Sequence, residues 1–170
     1  GGIDLERGTL HLIDYMKALD YCELYIIGHG QEDEYKIVKT HIEENDIKNV
    51  RIFDRVSLSE LRYLVNKSQI GAVYYHKNDL NNIYCASGKV YEYIYEGIPI
   101  VTSENIPLID FCDKFTVGVS DDNFAKGISQ IISNYELYKK SVYNYIRMNS
   151  VNNYLNLFTE KMSKLLNKDS

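Results

Sequence analysis

The sequence has no tryptophan, only two prolines and only three cysteines among its 170 residues. The cysteines, Cys22, Cys85 and Cys112, are widely separated and form no Cys-x-x-Cys pair, which argues against a zinc site or a redox dithiol. Isolated thiols are typical of a reduced, cytoplasmic chain. No apolar run approaches the roughly 18 residues of a membrane helix, and no signal peptide is visible.

The chain also lacks an excess of positive charge, since its formal net charge is −5 and its pI about 5.4. An acidic domain is a poor candidate for general nucleic-acid binding, so a few placed side chains would have to bind any phosphate. There is no Asp-x-Asp motif, and His11, His41 and His76 lack the spacing of metal ligands. We therefore expect no metal site. The 45% hydrophobic and 25% charged residues that are present are ordinary for one globular domain.

Short apolar runs alternate with amphipathic segments along the chain. The apolar runs, which predict buried strands, are residues 23–28, 50–53, 70–76, 98–103 and 116–119. The segments with helical spacing are residues 8–19, 32–45, 57–68, 88–96, 107–115 and 121–134. This alternation predicts an α/β fold, a Rossmann-like doubly wound parallel sheet with helices on both faces. The polar stretch 77–86 has no period and is predicted to be a loop.

We assign residues 1–135 to this α/β domain and residues 136–170 to C-terminal helices, at about 136–148 and 151–167. These helices could pack on the domain or dock on another one, and both alternatives stay open. The chain opens with a helix, whereas a doubly wound domain normally starts with a strand. We therefore expect that the first strand, or a whole preceding domain, is absent from these residues.

The strongest functional signal is the stretch 87–101, SGKVYEYIYEGIPIV. Ligands of open parallel sheets bind at the carboxyl ends of the strands, and Ser87-Gly88-Lys89 follows the third strand at a predicted helix N-terminus. Unpaired N–H groups, a glycine that allows close approach and a lysine suit a diphosphate. Glu92 lies one turn later, where its carboxylate suits two vicinal ribose hydroxyls. A surface helix with a single ion pair is the structural alternative.

Lys89–Val101 resembles the K-x-x-E-Y-x-x-x-G-x-P-V-V segment of GT-B glycosyltransferases, most of all that of the group 1, family four-like retaining enzymes. Arg7-Gly8, after a Gly-rich turn, is similar to their R/K-G opening. The run ELYIIGHG at 23–30 resembles their L-x-I-x-G-x-G, and residues 49–75 resemble their next strand–helix–strand unit. The resemblance covers about residues 1–135, and it implies the C-terminal, donor-binding domain of such an enzyme.

The resemblance, carried over by position, also implies roles for single residues. Glu92 would hold the donor ribose, and Arg7 and Lys89 would neutralise the donor diphosphate. Arg55 belongs to a turn, residues 54–56, that would frame the base. The remaining positions expected to bind the donor or let loops approach it are Gly28, Gly30, Ser87 and Gly88. No catalytic residue can be named, because the general base would lie on another domain.

Two positions depart from the family pattern. Tyr84 stands where many members have a glutamate, eight positions before the ribose-binding one, that contacts the transferred sugar. Asp54 replaces the usual glycine after the second strand. Elsewhere, His29 could touch the donor sugar or be a turn residue, while Tyr74 and Tyr75 are expected in the core, one on each face of the sheet.

These features predict a glycosyltransferase that moves a sugar from a nucleotide diphosphate sugar, UDP- or GDP-linked, to a glycan or lipid acceptor without a metal or other cofactor. The isolated domain would bind nucleotide but be inactive. A nonhydrolysing nucleotide-sugar epimerase shares the architecture, and a degenerate domain that scaffolds a partner enzyme is a third hypothesis. Family usage suggests polysaccharide biosynthesis in the cytoplasm, at the inner face of the membrane, with contact to the membrane made by the missing N-terminal domain.

Overall fold

The computed structural model describes residues 2–28 and 30–166 of the chain. Its strands are β1 (Leu24–Ile27), β2 (Val50–Phe53), β3 (Gly71–Val73), β4 (Ile100–Thr102) and β5 (Gly118–Ser120). Its helices are α1 (Thr9–Tyr15), α2 (Glu32–Glu44), α3 (Leu58–Lys67), α4 (Leu80–Ile83), α5 (Gly88–Tyr95), α6 (Ile106–Phe115), α7 (Phe124–Ser133), α8 (Tyr135–Met148) and α9 (Val151–Leu166). The strands and helices alternate as the sequence predicts.

The strands pair in parallel, which confirms the predicted Rossmann-like α/β fold. In one piece of sheet β1 lies beside β2, with Leu24 opposite Val50. In the other piece β4 lies between β3 and β5, with Thr102 opposite both Val73 and Ser120. Within the described residues no strand joins β1 to β3. The described strands therefore form two separate pieces of parallel sheet, β1–β2 and β3–β4–β5.

Two apolar clusters cover the two faces of the sheet. The first contains residues of both sheet pieces, Ile26 of β1 and Val101 of β4, together with Phe124 of α7. The second is built on β3 and β4 by side chains of α5, α6 and α8. Tyr74 packs against the first cluster and Tyr75 belongs to the second. This confirms the prediction of one tyrosine per face, although both residues lie just beyond the end of β3.

The ends of the elements carry the expected turn chemistry. Ser57 and Glu60 form the capping box of α3, since the Glu60 N–H donates to Ser57 Oγ at 3.3 Å and the Ser57 N–H donates to Glu60 Oε2 at 2.8 Å. Gly97 follows α5 with φ +77°, the left-handed conformation that favours glycine at this position. Pro107 lies in the first turn of α6, where its missing N–H has no helical partner to lose.

Several predicted elements differ from the structure in type or bounds. The stretch 77–86 contains α4, which the carboxylate of Asp79 caps by accepting from the Asn82 N–H at 2.9 Å. The last strand begins at Gly118, because Thr116 adopts φ +54° and closes α6. The first helix is α-helical only to Tyr15, and a 3-10 turn at Met16–Ala18 completes the predicted range. Local capping and tertiary packing decide such ends, and neither appears in the apolar periodicity.

The two C-terminal helices differ in their environment. α8 packs on the domain and buries Tyr138, Val142 and Tyr145. On α9, every side chain from Asn152 to Lys164 is exposed. Among the described helices, none is long and apolar enough to cross a membrane.

Candidate functional site

Arg7 is held in a tight turn that leads into α1. The Asp4 N–H donates to Thr9 Oγ1 at 3.0 Å, and the Thr9 hydroxyl donates to the Asp4 carbonyl at 2.7 Å. The Arg7 N–H donates to Asp4 Oδ1 at 3.0 Å, and the Arg7 Nε lies 3.1 Å from Asp4 Oδ2. Gly8 has φ +84°, and a Cβ there would meet the Tyr74 ring at 2.2 Å. The turn therefore needs this glycine, and it presents an exposed guanidinium.

The N-terminus of α5 carries the predicted Ser87-Gly88-Lys89 corner. Gly88 is exposed, and a Cβ added there would meet no atom within 4 Å. Lys89 is half-buried, and Ser87 is the N-cap residue, only 3% exposed. The Ser87 hydroxyl points toward Tyr75, with 2.9 Å between Ser87 Oγ and the Tyr75 phenol oxygen. No side chain therefore caps the first turn of α5, in which the Val90 N–H donates to the Ser87 carbonyl at 3.2 Å.

Tyr75 connects these two parts of the site. The Arg7 guanidinium carbon lies 5.8 Å from the centre of the Tyr75 ring, within reach of a cation–π attraction. The Tyr75 N–H donates to Ser103 Oγ at 2.9 Å, so the backbone stays tied to the end of β4. The sequence placed Tyr75 in the core, and its contacts with Arg7 and Ser87 were missed. The predicted strand, residues 70–76, included Tyr75, so no local signal pointed to these contacts.

Two cations meet at this corner. Burial lowers the pKa of Lys89, and the nearby positive charge of Arg7 lowers it further, while Glu92 and Asp4 act in the opposite direction. Burial also raises the pKa of the Tyr75 phenol, which keeps it protonated and able to donate. Two cations that repel each other at a helix N-terminus are an arrangement that suits a multiply charged anion.

Glu92 lies one turn beyond Lys89 on α5 and is exposed. Its carboxylate is close enough to favour the charged form of Lys89. Tyr84, which stands where many of the resembling enzymes have a glutamate, is the C-cap residue of α4 and is 59% exposed. The α4 turn is held in place because the buried Asn105 donates from Nδ2 to the Asn82 carbonyl at 2.8 Å. The structure therefore brings Arg7, Ser87, Lys89 and Glu92 together.

The other residues predicted to bind the donor make no direct contact with Lys89 among the described contacts. Gly28 directly follows β1 and has φ +134°. Gly30 packs so tightly on Ile3 that a Cβ would approach the Ile3 carbonyl oxygen to 2.9 Å. Gly30 is thus required by the segment that carries Arg7. Arg55 is exposed after β2, and its N–H donates to the Asp54 carboxylate at 2.7 Å. In the described part of the chain, no hydrogen bond, ion pair or ring contact joins Arg55 to Lys89. His29 lies outside the described residues.

A second charged group follows the strands further along the same edge. Lys77 is ion-paired with Asp122 at 2.5 Å and lies 4.0 Å from Glu104. The Glu104 N–H also donates to Asp122 Oδ1 at 2.9 Å. These groups satisfy one another at the surface. Among the described residues, no cluster of three or more His, Cys, Asp or Glu side chains could hold a metal ion.

Comparison with known proteins identifies solved structures with a similar fold. Neither a protein-family model nor a curated protein sequence matches the chain. The crystal structure of WaaG, a glycosyltransferase involved in lipopolysaccharide biosynthesis, is similar with a TM-score of 0.63 and 13% identity, over 86% of this chain and 40% of that one. An alpha,alpha-trehalose 6-phosphate synthase from Burkholderia multivorans is similar with a TM-score of 0.59 and 13% identity, over 99% of this chain and 42% of that one.

The chain therefore spans about two fifths of the length of each of these two structures. At 13% identity the likeness shows the fold. This chain has a GT-B glycosyltransferase-like fold, in which parallel strands are flanked by helices as in a Rossmann-like half.

Proposed function

We propose that this chain is the donor-binding domain of a glycosyltransferase that uses a nucleotide diphosphate sugar. The observation that carries the proposal is the meeting of Arg7 and Lys89 at the N-terminus of α5, where Gly88 leaves open space and Glu92 follows one turn later. A cationic, glycine-lined helix N-terminus with a carboxylate beside it suits a diphosphate followed by a ribose.

Each group has a distinct task in this proposal. Arg7, Lys89 and the N–H groups of α5 would neutralise the donor diphosphate as it departs from the sugar, which stabilises the charge of the transition state without a metal. Glu92 would accept hydrogen bonds from the two ribose hydroxyls. Gly28, Gly30 and the turn at Arg55 would border the nucleoside. The acceptor, a glycan or lipid, and the general base would belong to a second domain, so the isolated chain would bind nucleotide but turn over little.

We also propose that a further strand completes the sheet. The two pieces are divided between β1 and β3, and residues 2–8 lie at this division. Ile3 packs against Gly30 after β1, and Gly8 packs against Tyr74 after β3. A parallel strand that leads into residue 2 would fill the division and produce the doubly wound order. The exposed apolar side of α9, which includes Leu155, Phe158 and Met162, would dock on the second domain.

The setting we propose is the cytoplasm at the inner face of the membrane, in polysaccharide biosynthesis. There the second domain would make any contact with the membrane surface.

A second candidate function is supported by Tyr84. Its exposed ring ends α4 at the position where the resembling enzymes contact the transferred sugar through a glutamate. A domain without that carboxylate could bind nucleotide and serve as a scaffold for a partner glycosyltransferase. A nonhydrolysing nucleotide-sugar epimerase would use the same diphosphate and ribose contacts, so assays of turnover in the full-length protein separate the three.

The test is calorimetric titration of the chain with UDP, GDP, ADP and CMP, beside the variant Glu92→Ala. We expect one nucleoside diphosphate to bind, and Glu92→Ala to weaken it by roughly tenfold or more, because charge-assisted hydrogen bonds contribute about 1.5–3 kcal/mol. Glu96→Ala is the matched control, since Glu96 lies one turn later as the C-cap residue of the same helix, and its carboxylate accepts from Asn66 Nδ2 at 2.6 Å. Equal affinity of both variants and the parent chain would remove Glu92 from the ribose role, and no binding of any nucleotide would contradict the proposal.

A further inference from the structure

Tyr75 makes contacts through its backbone, its ring and its phenol, and the phenol also lies beside the Cys85 thiol. Its backbone N–H is bonded to Ser103, its ring lies beneath the Arg7 guanidinium, and its phenol oxygen is bonded to Ser87. Tyr75 is 5% exposed and Ser103 is fully buried, so the ring has a fixed position. The two cationic parts of the site, the Arg7 turn and the start of α5, are therefore held against one side chain.

The contact with Ser87 is unusual for a serine at the start of a helix. An N-cap serine normally accepts a hydrogen bond from an N–H of the first helical turn. Ser57 does so at α3, where it accepts from the Glu60 N–H at 3.3 Å. Ser87 instead shares its hydrogen bond with Tyr75 at 2.9 Å and is buried there. The side chain that would otherwise compete for the N–H groups of α5 is thus held away from them.

We propose that Tyr75 is a positioning residue of the donor site, which keeps the Ser87 hydroxyl off the N–H groups of α5 and holds Arg7 at a set distance from Lys89. The anionic diphosphate then takes the hydrogen-bond donors that a serine cap would occupy. The inference rests on the donor site proposed above. It assigns to Tyr75 an effect on diphosphate binding that acts through Ser87 and Arg7, with no contact between Tyr75 and the ligand.

The variant Tyr75→Phe separates this role from simple packing, because it keeps the ring beneath Arg7 and removes only the phenol oxygen. The released Ser87 hydroxyl can then turn to α5 and cap it. We expect the affinity for the nucleoside diphosphate that binds the parent chain to fall roughly five- to tenfold, the scale of one hydrogen bond. The affinity for the corresponding nucleoside, which has no phosphate, should change much less.

The double variant Tyr75→Phe with Ser87→Ala is the decisive measurement. Removing the released hydroxyl leaves the N–H groups of α5 uncapped again, so diphosphate affinity should recover in part relative to Tyr75→Phe alone. A merely structural role for Tyr75 predicts the opposite, since a second substitution in a buried pair would weaken the site further. The matched control is Tyr138→Phe. Tyr138 lies on α8, is buried, and its phenol oxygen accepts from Gln130 Nε2 at 3.0 Å.

The outcomes distinguish this inference from the proposed function. If the parent chain binds a nucleoside diphosphate and Tyr75→Phe binds it equally well, the positioning role is wrong while the donor site stands. If Tyr75→Phe is weaker but Ser87→Ala restores nothing, the competition at the helix start is wrong. If the parent chain binds no nucleoside diphosphate, both proposals fail together. Thermal denaturation of each variant shows whether a loss of binding reflects a loss of folded protein.

Discussion

Lys89 carries the electrostatic character of the site at the scale of a single residue. It is half-buried beside Arg7, and burial is the first cause of its lowered pKa. A lysine with these neighbours is a stronger attractant for an anion than a solvated one, because its charge is only partly screened by water. The same environment makes the charge easier to lose, so affinity for an anion should depend on pH.

We expect nucleoside diphosphate affinity to fall as the pH rises from 7 toward 10. Lys89 is cationic below its pKa, and that pKa lies under the roughly 10.4 of an ordinary lysine. Lys89→Arg should keep its affinity over this range, because a guanidinium stays protonated. Calorimetric titration at several pH values gives both profiles. Parallel profiles for the two proteins would show that another group is responsible.

At the scale of elements, the site depends on how α4 and α5 are attached to the sheet. The buried Asn105 at the start of α6 accepts from the Ser103 hydroxyl at 2.5 Å and donates to the Asn82 carbonyl at 2.8 Å. Ser103 in turn accepts from the N–H of Tyr75. One amide side chain thus links the ends of β3 and β4 to the α4 turn, which precedes the donor helix.

Replacing this amide should loosen the connection. We expect Asn105→Ala to lower the free energy of unfolding by about 1–3 kcal/mol, because it leaves buried polar partners without a hydrogen bond. Chemical denaturation measures the loss. Asn134→Ala, which removes an exposed side chain bonded to the Gln130 carbonyl at 3.2 Å, should change stability much less. A similar change for both variants would mean that the buried linkage does not hold the elements together.

At the scale of the whole molecule, the two C-terminal helices differ, because α8 is part of the folded domain and α9 is exposed. α8 contributes Tyr138, Val142 and Tyr145 to the buried interior. α9 leaves Tyr154, Leu155, Leu157, Phe158 and Met162 at least 40% exposed. An amphipathic helix gains most of its stability by burying its apolar face. We therefore expect α9 to be stabilised by packing against another protein surface.

Truncation should reveal this division. A chain that ends after Ser150 should unfold at nearly the same temperature as the full chain and associate less with itself, since it loses an exposed apolar face. A chain that ends after Asn134 should lose most of its stability, because three buried side chains of α8 go with it. Thermal denaturation and light scattering measure both effects. A large loss of stability in the chain that ends after Ser150 would show that α9 is part of the folded domain.

Much of the fold could be predicted because its signals are local. Strands β1 to β4 follow apolar runs, the capping box at Ser57 and the helix end at Gly97 follow from residue chemistry, and the alternation of elements implies parallel pairing. The boundaries were less predictable, as α4 and the start of β5 show. The start of α4 depends on the side-chain cap at Asp79, and the start of β5 depends on the left-handed conformation of Thr116. Each is an effect of one residue that the apolar periodicity of the sequence does not show.

The sequence by itself determined the α/β architecture and the cation–carboxylate spacing of Lys89 and Glu92, because periodicity and neighbouring residues act over a few positions. Only the tertiary structure decided that Arg7, more than eighty residues away in the chain, would lie near Lys89 and that Tyr75 would lie between Arg7 and Ser87. It also decided that Gly30 is needed for the approach of Ile3 and that α9 stands exposed. Such contacts arise when parallel strands bring their carboxyl ends to one edge, and no local pattern specifies which side chains then meet.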